Sequence, residues 1–347
     1  MLTMLTRESP VVDTPITAVD DDDDDDDGGG GWGSKLIDGY NFHMAQIWQA
    51  WFPQSQPWNE YKKALEYKSQ LRSIEPKVHY MMSLFLHPSV TPEVIARASQ
   101  AGITGVKMYP QGVTTNSENG VANVEAFYPT FAAMEENDMV LNLHGEVLEA
   151  LAPEGTTLEE AFLPTLKKLH DRFPRLRIIL EHCTTSAAVE AVKACGPTVG
   201  GSYIPIPKKP TDRDALLKAV VSGNPKFFFG SDSAPHLMQS KISTEQGKAP
   251  AGVFTQPVVT QLVLMALQEA IERGDIPEAD VTREKLEGFL SYFGRRFYKL
   301  PELPGEKIVL ERKGEKIATT VKSSDGTTEV GISRAGTEVF SLTWTAA

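Results

Sequence analysis

Four polar residues stand at or just beyond the ends of short apolar runs. Lys107 lies in Gly105-Val106-Lys107-Met108-Tyr109-Pro110, and His144 closes Met139-Val140-Leu141-Asn142-Leu143-His144. His182 follows Ile178-Ile179-Leu180-Glu181, and Asp232 follows Phe227-Phe228-Phe229-Gly230-Ser231. Two imidazoles, an amine and a carboxylate make a set with metal chemistry. Neutral imidazole is the common zinc donor. A carboxylate beside an ion can both hold it and move a proton, which makes Asp232 the candidate catalytic residue; read alone, Asp232 also fits a helix cap. A lysine that closes a buried strand must pair, snorkel or be modified. For Lys107 that leaves an ion pair across the strand tips, or carboxylation by CO2, which turns the amine into a bridging carboxylate. His236, four residues beyond Asp232, reads either as a contact to an anionic substrate group or as a surface histidine. Thr114 and Thr115 belong to the polar stretch 111–120 after Lys107, long enough to form a lid. His43, His79, His87 and His170 have no comparable position and read as structural.

These residues need a scaffold that brings several strand ends together. The pattern predicts strands over 78–86, 105–109, 139–144, 177–182, 198–204 and 226–232, and helices over 64–72, 124–136, 158–172, 185–195 and 212–222. Thr91-Pro92-Glu93 opens a further helix with a cap residue and a first-turn proline. Strands alternating with helices give a parallel sheet. Lys107 to His144 spans 37 residues and His144 to His182 spans 38, about one strand–helix unit each. A parallel β/α barrel presents chemistry from the C-terminal ends of its strands. Helices near 256–273 and 282–298 close this part, which occupies residues 64–301. The remainder, 302–347, carries short β segments at 306–311, 327–332 and 338–344 and reads as a small β extension.

The N-terminal part is different in kind. Residues 1–34 include Asp20 to Asp27 and Gly28 to Gly31, a low-complexity acidic and glycine-rich tail that cannot bury a core. Residues 35–63 cluster Tyr40, Phe42, Trp48, Trp51, Phe52 and Trp58 without a clear period; a helix over about 45–51 is the local expectation. The formal net charge is −12, of which the aspartate run supplies eight. The rest is too nearly neutral to bind nucleic acid through a basic face. No run reaches the roughly 18 apolar residues of a membrane helix, and residues 1–27 lack a secretory layout. Two cysteines, Cys183 and Cys195, form no disulfide framework, so the expected setting is reducing and cytoplasmic.

With their neighbours, these motifs resemble the single-function, class II dihydroorotases in their fungal form. The stretches that carry the likeness are 105–110 with Thr114-Thr115-Asn116-Ser117, then Leu143-His144-Gly145-Glu146-Val147 and Glu181-His182-Cys183-Thr184-Thr185. Asn224 to His236 and Ala251-Gly252-Val253-Phe254 complete them. The resemblance runs from about Ala64 to the C-terminus. It implies a TIM-type (β/α)8 metal-dependent hydrolase barrel with two zinc ions, and reversible cyclisation of N-carbamoyl-aspartate to dihydroorotate in pyrimidine synthesis. It implies a carboxylated lysine at Lys107 bridging the ions, histidine ligands at His144 and His182, and a metal-bound proton carrier at Asp232. It assigns substrate contacts to Thr114, Thr115, His236 and Ala251, and a homodimer as the usual assembly.

Two departures bear on activity. The family's opening His-x-His is absent, with only His43 in Asp38-Gly39-Tyr40-Asn41-Phe42-His43. After Val199-Gly200-Gly201 the chain passes from Ser202-Tyr203-Ile204-Pro205 almost directly to Lys208-Lys209-Pro210, where the family has a longer substrate-facing segment. The expectation is a barrel incomplete at its N-terminal units, holding at most one zinc well and turning over poorly. The alternatives are a catalytically dead barrel that serves as a binding or regulatory subunit, and another cyclic-amide hydrolase.

Overall fold

A strand buried on both faces has to be apolar throughout, and its alternate residues then divide between two different interiors. That division organises this chain. A computed structural model describes residues 2–6, 42–47, 60–74, 76, 78–114, 117–203, 207–242, 252–301, 307–323, 326 and 328–345. Its strands are β1 (Leu2–Thr6), β2 (Phe42–Ile47), β3 (His79–Phe85), β4 (Gly105–Met108), β5 (Val140–His144), β6 (Arg177–Cys183), β7 (Val199–Tyr203), β8 (Phe227–Phe229), β9 (Lys307–Lys316), β10 (Thr320–Lys322), β11 (Glu329–Gly331) and β12 (Glu338–Thr345). Strands β2 to β8 form one seven-stranded parallel sheet in sequence order.

Outward residues of these strands, among them Met82, Leu84, Val106, Met108, Leu141, Leu143, Ile178 and Leu180, join the main core beneath the helices. Inward residues Met81, Val140, Ile179 and Phe228 meet Tyr298 in a separate, smaller cluster, with Phe293, Phe297 and Leu300 packed against it. The last helix, Phe293–Phe297, and the residues just after it thus close the floor of the strand array. Seven strands in consecutive order, with β2 and β8 unpaired to each other among the described residues, make an incomplete TIM-type barrel.

The helices begin where the sequence places caps. Thr91 caps Pro92–Gln100, and Thr185 caps Ser186–Ala194. Leu158–Arg172 opens with a full capping box: Thr157 Oγ1 accepts the Glu160 amide at 3.1 Å, while Glu160 Oε2 accepts the Thr157 amide at 2.7 Å. The helix expected over 282–298 is a continuous run in three parts. Arg283–Glu287 and Phe293–Phe297 flank a wider π turn at Gly288–Tyr292. A β-carbon at Gly288 would lie 2.4 Å from the Phe293 ring, so the glycine is what lets that ring pack there.

Two expectations are corrected. Of the helix anticipated near 45–51, residues 45–47 instead belong to β2, paired in parallel from Phe42 opposite His79 to Ile47 opposite Leu84, and residues 48–51 lie outside the described residues. The register of β2 comes from a partner strand beyond the next helix, which local periodicity does not encode. Within the expected tail, Leu2–Thr6 forms β1, antiparallel to β9 with a register shift between Met4 and Thr6; residues 7–41 lie outside the described residues. The C-terminal part carries four strands where the sequence suggests three short β segments. Strands β1, β9 and β12 form one small sheet and β10 and β11 a hairpin. Ile317, Val330, Ile332 and Val339 pack on Phe254, Leu262 and Met265. No described helix is long and apolar enough to cross a membrane.

The capping box should be measurable by itself. Thr157→Ala removes one half of it and is expected to cost about 1 kcal/mol in chemical denaturation, with an unchanged denaturant slope.

Candidate metal and catalytic site

Pairing register brings the candidate residues to one level. Lys107 of β4 stands beside Asn142 of β5, and His144 of β5 stands beside Glu181 of β6. Side-by-side residues of parallel strands point the same way, so all four face the barrel interior. Lys107 has no exposed surface, and its ammonium is ion-paired with Glu181, which is 3% exposed. Asn142 Nδ2 donates to Glu181 Oε1 at 2.7 Å and to the Tyr298 hydroxyl oxygen at 3.4 Å. The Asn142 side chain lies over Gly105, where a β-carbon would sit 3.1 Å from Asn142 Oδ1 and 2.6 Å from the Val140 carbonyl oxygen. Lys107 Nζ also lies 4.8 Å above the Tyr109 ring and 3.4 Å from His182 Nε2.

The pairing of β6 with β7 shifts between Leu180 and Cys183. This irregularity lets Glu181 and the next residue, His182, both serve the interior. His182 takes a left-handed backbone, with φ 59°, and so does Asp232, with φ 44°. Such values are uncommon outside glycine and mark a held conformation. The two side chains meet, His182 Nδ1 lying 3.0 Å from Asp232 Oδ2. A carboxylate only accepts, so Nδ1 carries the hydrogen and Nε2 turns its lone pair toward Lys107. The His144 and His182 rings lie 4.8 Å apart between centroids. His144 Nε2 donates to Glu146 Oε2 at 3.1 Å, and Glu146 Oε1 lies 3.4 Å from Lys208 Nζ. His144 Nδ1 is buried and has no hydrogen-bond partner.

Burial sets the protonation states. It pushes the His144 pKa down to about 4, outweighing the Glu146 hydrogen bond, so the ring is neutral. It pushes Lys107 down to about 7 against the pull of the Asp232 charge. The His144 hydrogen bond holds Glu146 down at about 2, despite burial. Burial works to raise Asp232, but the neighbouring His182 and Lys107 outweigh it and hold the carboxyl below its usual range.

Lys107, His144, His182 and Asp232 therefore converge. Thr114 is half-buried in the following loop, where its amide donates to Ser117 Oγ at 2.9 Å and its carbonyl accepts from that hydroxyl at 2.6 Å. Thr115 and Ala251 lie outside the described residues. His236 is half-buried beside Gly252, where a β-carbon would lie 3.3 Å from His236 Nε2. The segment after Asp232 is stitched to residues 253–256 by Ser233 Oγ, which accepts the Thr255 and Gln256 amides at 3.1 and 3.0 Å. Glu181, Asn142 and Glu146 were not foreseen as site residues. For Glu181 the signal was present: an acid inside an apolar strand needs a buried cation, and Lys107 is the nearest strand-tip candidate.

The donors that a metal ion could use here are the two imidazoles. His144 offers a neutral ring with an orphaned nitrogen, and His182 offers Nε2 beside the Lys107 amine. Among the described residues no group of three or more His, Cys, Asp or Glu side chains is set to hold a metal; the ring nitrogens and carboxylates are turned to one another, and Lys107 takes the ion-pair alternative. His43 does not substitute for the missing histidines. It pairs with Tyr80, whereas Lys107 pairs with Phe85, so His43 stands five residues toward the opposite end, roughly 16 Å along the strand.

A neutral buried histidine has a consequence for stability. The folded pKa of His144 lies below the unfolded value, so the unfolded chain binds more protons between them, and stability falls as pH drops from 6.5 toward 4. Between pH 6.5 and 4.5 the wild type should lose about 2 kcal/mol more than His144→Gln in urea denaturation.

Comparison with known proteins agrees with this architecture. An amidohydrolase family profile matches residues 85–248. A probable dihydroorotase of Schizosaccharomyces pombe is 44% identical over 278 residues, covering 74% of this chain and 79% of the relative. The dihydroorotase of Saccharomyces cerevisiae is 37% identical over 303 residues, covering 76% and 79%. A crystal structure of the Saccharomyces cerevisiae dihydroorotase in complex with 5-fluoroorotic acid superimposes with a TM-score of 0.76 at 34% identity, covering 91% of this chain and 93% of that one. With relatives of this identity and coverage, and with its strand-tip residues gathered at one end of a parallel barrel, the chain belongs to the dihydroorotase family of amidohydrolases.

Proposed function

We propose that this chain carries out dihydroorotase chemistry, the reversible closure of N-carbamoyl-aspartate to dihydroorotate, with one zinc ion and at reduced rate. The observation that carries this reading is the convergence of Lys107, His144, His182 and Asp232 at the ends of four strands. His144 and His182 would hold the ion, together with Lys107 once its amine is carboxylated. An amine whose pKa has fallen to about 7 is largely neutral just above that pH, the form that CO2 needs. A bound zinc lowers the pKa of its water and polarises the amide carbonyl.

The chain's own residues supply the rest. Asp232 stays ionised because His182 and Lys107 favour its charge, so it can accept a proton and return it to the leaving ring nitrogen. The hydrogen bond from His182 Nδ1 fixes the orientation of that carboxylate. Thr114 and Thr115, which follow β4 in the chain, His236, beside Gly252, and Ala251 would receive the substrate's polar groups. The loop is tied to itself through Ser117, which has no exposed surface. The missing histidines remove donors for a second ion, which is why the rate is expected to be low. The ion pair of Lys107 with Glu181 supports a second reading, a barrel that binds the same small molecule without turning it over.

Elemental analysis and a dihydroorotate hydrolysis assay with added zinc test both readings. One zinc per chain and slow hydrolysis, reduced at least 100-fold by Asp232→Asn, support the enzyme. Substrate binding with no turnover at any zinc concentration supports the binding barrel. Two tightly held zinc ions per chain would contradict the assignment of a single ion.

A further inference from the structure

The turn that carries His182 is held from behind by a carboxylate that takes no part in the site. Glu159, in the first turn of Leu158–Arg172, is 1% exposed. Its oxygens Oε1 and Oε2 accept the Thr184 amide at 2.9 and 3.2 Å, and Oε2 also accepts the Thr185 hydroxyl. Thr185 Oγ1 accepts the Ala188 amide at 3.1 Å and so caps Ser186–Ala194. From the other side Asp212 Oδ1 accepts the Ser186 amide at 2.9 Å, and the Lys208 amide donates to the Thr184 carbonyl at 3.2 Å. Three successive residues, Thr184 to Ser186, are thus tied to neighbours on both flanks.

Helix capping alone does not account for this. Thr185 caps the helix without help. The Thr184 amide lies before the helix begins, two residues after His182, and it is this amide that Glu159 holds with both oxygens. A carboxylate so deeply buried resists ionisation, and burial pushes the Glu159 pKa up to about 7. A titratable group buried in that place needs a compensating reason. The left-handed backbone of His182 supplies one, because such a conformation persists only where its surroundings over-determine it.

We propose that Glu159 is a positioning residue: by pinning the Thr184-Thr185 turn it keeps His182 in the left-handed conformation that aims Nδ1 at Asp232 and Nε2 at Lys107. The inference rests on the functional reading above only in that the imidazole being aimed is the proposed zinc ligand. The geometry is present without the ion.

The test uses the full chain with Glu159→Gln, Thr185→Val and, as a control for general destabilisation, Leu166→Ala. Leu166 lies on the same helix as Glu159, is fully buried and joins the main core. Three quantities are measured: the imidazole 1H–15N signals of His182 in metal-free protein, zinc affinity by chelator competition, and the melting temperature. Glu159→Gln and Thr185→Val should shift or broaden the His182 Nδ1–H signal and weaken zinc about 10-fold or more. Leu166→Ala should lower the melting temperature at least as far while leaving both unchanged. An unshifted His182 signal in Glu159→Gln, or an equal shift in Leu166→Ala, overturns the proposal. If one of the two turn variants does not fold, the other carries the same readout. If the wild type takes up no zinc, the functional reading fails, and the His182 signal still decides the role of Glu159.

Discussion

A lysine without exposed surface at the centre of a parallel sheet is the constraint around which the rest is arranged. Removing one member of a buried ion pair typically destabilises by about 3–5 kcal/mol, so Lys107 and Glu181 have to be accommodated together. Asn142 satisfies the second Glu181 oxygen, Gly105 leaves room for Asn142, and Tyr298 closes the space below. The polar layer is therefore one connected unit resting on the apolar floor of Met81, Val140, Ile179 and Phe228. Burial demands partners for such groups, and the strands supply them for Lys107, Glu181 and Asn142 Nδ2, while Ser83 Oγ, Asn142 Oδ1 and His144 Nδ1 are buried without one.

The same low-dielectric interior tunes the chemistry. It brings Lys107 close to neutrality and keeps His144 uncharged, while His182, hydrogen-bonded to Asp232, and the nearby Lys107 hold the Asp232 carboxyl below its usual range. Groups of one site are thereby pushed toward different protonation states, the condition under which a base and a metal ligand coexist at neutral pH. Lys107 has two competing fates in this setting: as an ammonium it belongs to Glu181, and as an amine it is open to modification. The balance between them bears on whether the chain acts as an enzyme or as a binding barrel.

Much of this was legible from residues alone, and the failures have physical causes. Strand tips were readable because a polar residue after an apolar run is a local signal, and Lys107, His144, His182 and Asp232 all announced themselves so. The capped helix Leu158–Arg172 emerged with its expected bounds, since Thr157 and Glu160 fix its start through neighbouring contacts. Glu181 went unrecognised because strict alternation places it and His182 on opposite faces; the shift in pairing after Leu180 that brings both inward depends on β7. Strand β2 is not legible locally because the strand it pairs with lies beyond the intervening helix. Glu159 was invisible for the same reason: nothing within its own helix reveals that its partners are Thr184 and Thr185.

The paired left-handed residues at the two ends of the His182–Asp232 hydrogen bond carry one more implication. Each such backbone costs on the order of 1–3 kcal/mol, and the chain meets that cost during folding rather than when a ligand arrives. An ion or substrate then finds its receptors already aimed and loses less freedom in being captured. Replacement of either residue by glycine would relax the backbone and abolish the side chain at once. The two positions are therefore places where selection for a comfortable polypeptide and selection for a working one pull in opposite directions.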